Sequence, residues 1–270
     1  MDEIEVKRSV LPLIMDLSPF NTIQSQNKSK QENGTKPACI VLEVVQGEGG
    51  LNSISDWALR ELRRITQEKD IPLVVDEIQS GFCRTGHRFA FERSGITPDM
   101  LVLSKAAGGS QPLSCIVYNK KLDKWGPGMH AGTFRGNGLA FSAGAATLKF
   151  MREERLWEQA ERKGRLFHDL LSATKCEYIG DIRGRGLMLG IELVTPGEMG
   201  KDGLPTACGE LAAQTQKECM KRGLTIEKGG RNGSVLRSLP PLTVSNEDIE
   251  HAVSIILESI KTSASVIFRE

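Results

Sequence analysis

Lys105 follows the apolar run Met100-Leu-Val-Leu-Ser104 and opens the glycine-bearing stretch Ala106-Ala-Gly-Gly-Ser-Gln-Pro112. Asp76 ends a second apolar run, Ile71-Pro-Leu-Val-Val75. Short apolar runs bounded by turn residues read as buried strands. Open α/β sheets place ligand chemistry just beyond the carboxyl ends of such strands. An amine at one strand end and a carboxylate at another suit a carbonyl cofactor with a ring nitrogen. The Lys condenses with the carbonyl, and the Asp keeps the ring protonated. That pairing points to pyridoxal 5'-phosphate. Taken alone, a Lys is more often a solvated surface group, and an Asp at a strand end is as readily a helix cap or a structural ion pair.

The elements that must position these residues follow from periodicity. Cys39 to Val45 has the length of a strand, and a helix capped by Ser55 carries Ala58, Leu62 and Ile65 at helical spacing and ends before Pro72. Strands at Leu73–Val75, Met100–Leu103 and Ser114–Tyr118 alternate with other structure, which argues for a mostly parallel sheet. One long helical region is expected from Leu139 to Ser172, followed by strands at 190–194, 224–226 and 234–237. Ser245-Asn-Glu-Asp248 reads as a capping box, with Ile249, Val253, Ile256 and Ile260 as the buried stripe of a last helix. Gly184-Arg-Gly-Leu-Met-Leu-Gly190 is not a dinucleotide fingerprint, because it lacks the GxGxxG spacing and leads into a strand.

The strings LEVVQGEGG, LVVDEIQSGFCRTG, LSKAAGG, HAGTFRGN and GDIRGRGLMLGIEL, in that order, resemble the class III pyridoxal-phosphate-dependent aminotransferases from about Lys36 to about Ile260. HAGTFRGN and the preceding SCIVYNKKLDKWGPG are most similar to the diaminobutyrate–2-oxoglutarate aminotransferases. The resemblance implies a fold-type-I α/β transferase. Residues 38–165 would form a partial, mostly parallel cofactor-binding large domain and 166–270 a C-terminal α+β small domain. Residues 1–37, with the polar run from Asn21 to Lys36, are unassigned and expected to be partly disordered.

The same resemblance assigns roles. Lys105 carries the cofactor and shuttles a proton, and Asp76 faces the pyridinium nitrogen. Ile78 packs on the ring face, and Gln79 bonds the ring hydroxyl. Thr133 reaches the cofactor phosphate of the other subunit, which implies a homodimer with its active site at the interface. Glu43 lies near the substrate amine and Arg237 grips a substrate carboxylate, a task suited to a planar bidentate donor. The weaker reading of Glu43 and Arg237 is an ordinary surface salt bridge, whereas Thr133 beside glycine, taken alone, reads first as a turn residue. Ser238 stands where the family has a bulkier residue, and Ala107, Ser110 and Gln111 also depart from its pattern. The implied reaction moves the terminal amino group of 2,4-diaminobutyrate to 2-oxoglutarate, so the small-molecule partners are an amino-acid donor and a 2-oxo acid acceptor. Racemisation or aminomutation with the same cofactor is disfavoured by HAGTFRGN.

Composition excludes other classes. A net charge of +1 and 5% aromatic residues give no basis for binding nucleic acid, and no apolar stretch is long enough to span a bilayer. The acidic start Met-Asp-Glu-Ile-Glu is no signal peptide, and Asn27, Asn33 and Asn232 are chance sequons. Six cysteines without a CxxC pair indicate reduced thiols in the cytoplasm and no metal site. The family's phosphate-holding Gly-Ser/Thr turn and its ring-stacking aromatic are not found in residues 1–37. The chain is therefore expected to bind the cofactor weakly or not at all. The alternative to an enzyme is a truncated, non-catalytic remnant or a binding subunit.

Overall fold

The computed structural model describes residues 36–201 and 203–268. The polar run before Lys36, the sequons at Asn27 and Asn33 and the expectation of disorder over 1–35 lie outside them. Among the described residues the chain divides into two compact units. One holds the chain up to Val44, Ile54–Phe82 and Phe89–Glu154, and the other holds Val45–Ser53, Cys83–Arg88 and Arg155 onward.

The first unit is built on a four-stranded sheet, β1 (Ile40–Glu43), β2 (Leu73–Asp76), β3 (Met100–Leu103) and β4 (Cys115–Tyr118), in the order β1-β2-β3-β4. The first three strands are parallel, and β4 runs antiparallel to β3. The Leu-Val-Val of β2 is buried throughout, as expected of a parallel strand covered on both faces. Helix α1 (Asp56–Glu68) starts where the Ser55 hydroxyl oxygen accepts the Ala58 N–H, 3.1 Å away. It buries Ala58, Leu59 and Leu62 against Leu42, Val44, Leu73 and Val75. Each such aliphatic side chain contributes roughly 1.5–3 kcal/mol by leaving water. Helix α2 (Gly138–Glu153) completes the unit, with the Asn137 side chain capping its first turn.

A buried carboxylate ties three strands of this sheet together. Asp99, 2% exposed, accepts from Arg63 at 2.5 Å, from the Leu73 N–H at 3.0 Å and from Lys121 at 2.9 Å. Burial alone would raise its pKa, but the bonds from Arg63, Leu73 and Lys121 outweigh burial and hold the carboxyl at about 2. The depressed folded value means that its stabilisation is present above the unfolded pKa of about 3.9 and disappears as pH falls towards 2. Asp99→Asn is expected to cost about 3 kcal/mol at neutral pH. Urea titrations of the two proteins should converge between roughly pH 4 and pH 2, and parallel pH curves would contradict this assignment.

The second unit is α+β. Helix α3 (Leu156–Ser172) precedes β5 (Ile179–Arg185), β6 (Met188–Met199), β7 (Pro205–Ala207), α4 (Gly209–Lys221), β8 (Glu227–Gly229), β9 (Val235–Ser238) and α5 (Asn246–Ile267). The sheet is antiparallel in the order β5-β6-β9-β8, with β7 on β6. Phe167, Leu171, Leu189, Ile191, Leu211, Leu236, Val253 and Ile256 share one core. Ser245 caps α5 by accepting the Asp248 N–H at 3.0 Å.

Two expectations are corrected. The region from Leu139 to Ser172 is two helices, not one, because Arg155 takes a left-handed φ of 49° that no α-helix can propagate. The strand expected at 224–226 lies instead at Glu227–Gly229. The end of α4 takes up the earlier residues. The Leu224 N–H returns to the Cys219 carbonyl at 2.9 Å, and the Gln216 side chain donates to the Ile226 carbonyl at 2.7 Å. Those groups are then spent before a ladder can form.

Candidate active site

The parallel register sets Glu43 beside Asp76, and Asp76 beside Val102. Since β1, β2 and β3 point the same way, their carboxyl ends share one sheet edge. Glu43 is the last residue of β1, Asp76 the last of β2, and Lys105 comes two residues after β3. The fold therefore brings together three of the residues singled out in the sequence. Asp76 leaves the strand in a local turn, its Oδ1 accepting the Ile78 N–H at 2.9 Å. Ile78 and Gln79 follow in that turn, both half-buried.

Lys105 opens a short 3-10 turn at a φ of 45°. A left-handed backbone costs a non-glycine residue roughly 1–2 kcal/mol, so the surroundings must hold it. Ser104 donates to the Leu113 carbonyl at 3.1 Å and lies 2.8 Å from the Ser114 hydroxyl. Behind the turn, a Cβ on Gly144 of α2 would stand 2.3 Å from the Ala107 carbonyl oxygen. Glycine at 144 lets helix α2 back directly onto the loop that carries Lys105.

Glu77 points away from Asp76, as strand alternation requires, and is fully buried. Its carboxylate accepts from the Ser80 hydroxyl at 2.6 Å and from the Phe91 N–H at 3.0 Å. Burial pushes its pKa up, and the bonds from Ser80, Ala90 and Phe91 only partly offset this.

Thr133 is not brought to this edge by any contact among the described residues. It lies on an exposed loop between β4 and α2, beside Phe134 at 89% exposure.

Arg237 belongs to the second unit and is 4% exposed. It is no surface residue, yet it does form salt bridges. Its Nη1 donates to Glu48 at 2.5 Å and to the Gly47 carbonyl at 2.9 Å, and its Nη2 to Glu227. Its Nε is buried with no partner among the described residues. Burial would lower its pKa, but the two carboxylates outweigh this and raise it. Sequence reasoning misses Glu48 and Glu227. Glu227 faces Arg237 across β8 and β9, a register hidden when the strand is placed at 224–226. Glu48 lies in the QGEGG turn, where nothing local marks it as a partner. A third acid, Glu192, is held by two arginines, Arg183 and Arg231, each at 2.5 Å.

None of the six cysteines forms a disulfide. Among the described residues no helix is long and apolar enough to cross a membrane, and no cluster of His, Cys, Asp and Glu could hold a metal ion.

Known proteins are similar to this chain. The diaminobutyrate–2-oxoglutarate aminotransferase of Rhizobium meliloti is 49% identical over 223 residues, which is 80% of this chain and 46% of the relative. That of Haemophilus influenzae is 44% identical over 237 residues, 86% of this chain and 52% of the relative. The chain thus spans about half the length of the curated relatives it matches. Among solved structures, the ornithine aminotransferase of Toxoplasma gondii, which has PLP at partial occupancy in its active site, superposes with a TM-score of 0.74 at 30% identity. That match covers 84% of this chain and 52% of that one. A transaminase from the marine bacterium Virgibacillus shares the fold at a TM-score of 0.81 and 24% identity, over 91% of this chain and 57% of its own. The α/β architecture is that of the fold-type-I enzymes, whose cofactor is pyridoxal phosphate. The sequence model for aminotransferase class III matches residues 15–260, nearly the whole chain, and the protein belongs to the class III aminotransferase family.

Proposed function

We propose that this protein transfers the terminal amino group of 2,4-diaminobutyrate to 2-oxoglutarate with pyridoxal phosphate, as a cytoplasmic homodimer. The observation that carries the reading is the shared sheet edge that holds Glu43, Asp76 and Lys105. The residues present fit the cofactor: an amine held in a strained turn, a carboxylate on the neighbouring strand, and an apolar side chain and an amide in the turn that follows. When bound, the cofactor supplies an electron sink for the pair of electrons left when the amine-bearing carbon loses its proton. With the cofactor bound, Lys105 Nζ would be the base that takes that proton and the acid that gives it back. The Asp76 carboxylate holds a proton on the ring nitrogen. Ile78 would pack on a ring face, Gln79 would donate to the ring hydroxyl oxygen, and Thr133 would donate to the phosphate of the partner subunit's site. The exposed Trp125, Met129 and Phe134 around Thr133 support burial of that loop against a second copy. Kinetic comparison of amino donors tests the reaction. Diaminobutyrate should outpace ordinary α-amino acids, and no preference for a terminal amine would end the proposal.

Arg237 binds a substrate carboxylate in this reading, yet two carboxylates already occupy it. A substrate must displace at least one, and Glu48, with 83% of its side chain exposed, is freer to leave than the buried Arg is to move. Glu48→Gln should therefore lower KM for 2-oxoglutarate several-fold. Arg237→Gln should raise it about 100-fold, the worth of two charge-assisted hydrogen bonds at the low end of their range. Equal KM values in the two variants would remove Arg237 from the substrate site.

A further inference from the structure

Asp76 and Gln79 must be held still, yet the turn between them is four residues of chain leaving a strand end. What holds it is the residue between Asp76 and Ile78. We infer that Glu77 is a positioning residue, a buried clamp that fixes the Asp76–Gln79 turn in the geometry the cofactor needs. The inference rests on the reading of Asp76, Ile78 and Gln79 as cofactor-binding residues.

Glu77 reaches three places through its backbone and side chain. Its N–H donates to the Val102 carbonyl at 3.0 Å, which locks the end of β2 to β3 three residues before Lys105. Its carbonyl accepts the Gly81 N–H at 3.1 Å and so closes the turn around Ile78 and Gln79. A Cβ on Gly81 would stand 2.6 Å from that carbonyl oxygen, so the closure needs glycine there. Its carboxylate binds the Ser80 hydroxyl on the far side of the turn and the Phe91 N–H in the 3-10 turn Ala90–Ser94. The turn is thus pinned from both ends and from beneath.

Among the described residues Glu77 has no ion pair, and the one charged neighbour that acts on it is Glu92, a like charge. A carboxylate buried without a cation is a poor device for stability, and a well-packed apolar residue often does as well or better. A fully bonded buried polar group instead specifies one geometry. Glu77 directly follows Asp76, so its buried carboxyl anchors the same backbone that carries the acid assigned to the cofactor.

Glu77→Met, Glu77→Gln and Ser80→Ala test this in the full chain. Amide hydrogen exchange over residues 78–81, urea stability and the dissociation constant for pyridoxal phosphate would be measured on each. Glu77→Met should speed exchange in residues 78–81 at least tenfold and weaken cofactor binding about tenfold, the worth of one hydrogen bond lost from the cofactor. Its urea midpoint should fall only modestly, by what the Ser80 hydroxyl and the Phe91 N–H lose with their acceptor. Glu77→Gln, which keeps an acceptor for Phe91 and a partner for Ser80, should recover most of the binding. Ser80→Ala should lie between the two. Unchanged exchange over 78–81 in Glu77→Met, or loss of binding only in step with global stability, would overturn the clamp. If the unaltered chain, without the phosphate-holding turn, took up too little pyridoxal phosphate to compare, the exchange rates over residues 78–81 would by themselves decide whether Glu77 holds the turn.

Discussion

Lys105→Ala should lower transamination by at least about 10⁴-fold, the top of the range for one general acid–base group, because it also removes the amine that condenses with the cofactor. The proton leaving the amine-bearing carbon then lacks the amine assigned to carry it. A small primary amine added to the solution should restore a fraction of the rate, since it can enter the space left by the side chain. Stability separates this chemical effect from damage to the fold. Lys105 is exposed and sits at a φ of 45°, so its side chain does not hold the sheet. Lys105→Ala should unfold at the same temperature as the parent, and Lys105→Gly should gain about 1 kcal/mol through relief of the left-handed backbone. A Lys105→Ala protein with a tenth of the parent's activity would show that another amine does the work.

Asp76→Asn should cost about 10- to 10³-fold in kcat with little change in stability. The Asn oxygen can still accept the Ile78 N–H, so the turn is preserved and only the charge is lost. An opposite charge within about 4–6 Å raises the pKa of a cationic group by roughly 1–3 units. Without it the ring nitrogen loses its proton near neutral pH, and the protonated fraction falls by a similar number of decades. The sign is testable. The variant's activity should climb as pH falls below 7, because solvent protons replace the missing carboxylate. A variant as active as the parent, with the parent's pH profile, would exclude Asp76 from the ring nitrogen.

Much of this site is legible in the amino-acid sequence. The apolar runs ending at Asp76 and Lys105 mark both strand ends, since parallel strands buried on both faces are written as continuous Val, Ile and Leu. Ser55 and Ser245 mark helix starts because their side-chain oxygens do local work. What stays hidden depends on long-range pairing or on weak local signals. Helix α4 has no side-chain cap at Cys208, and β5 carries two glycines and three charged residues. Propensity marks neither. The partners of Arg237 are 10 and 189 residues away in sequence, and only the antiparallel register of β8 and β9 and the fold of the QGEGG turn bring them to it. Strand alternation is enough to turn Glu77 away from Asp76. What it faces, the Phe91 N–H fourteen residues on, cannot be read from spacing.

The central claim is that this sheet edge is a pyridoxal phosphate site with Lys105 as its amine. The chain would be saturated with pyridoxal phosphate, reduced with borohydride, digested, and the pyridoxyl mass located by peptide sequencing. The account requires the label on Lys105 in preference to all other lysines, and loss of that label, with no gain elsewhere, in Lys105→Ala. Label spread evenly over the surface lysines, unchanged by the substitution, would contradict it.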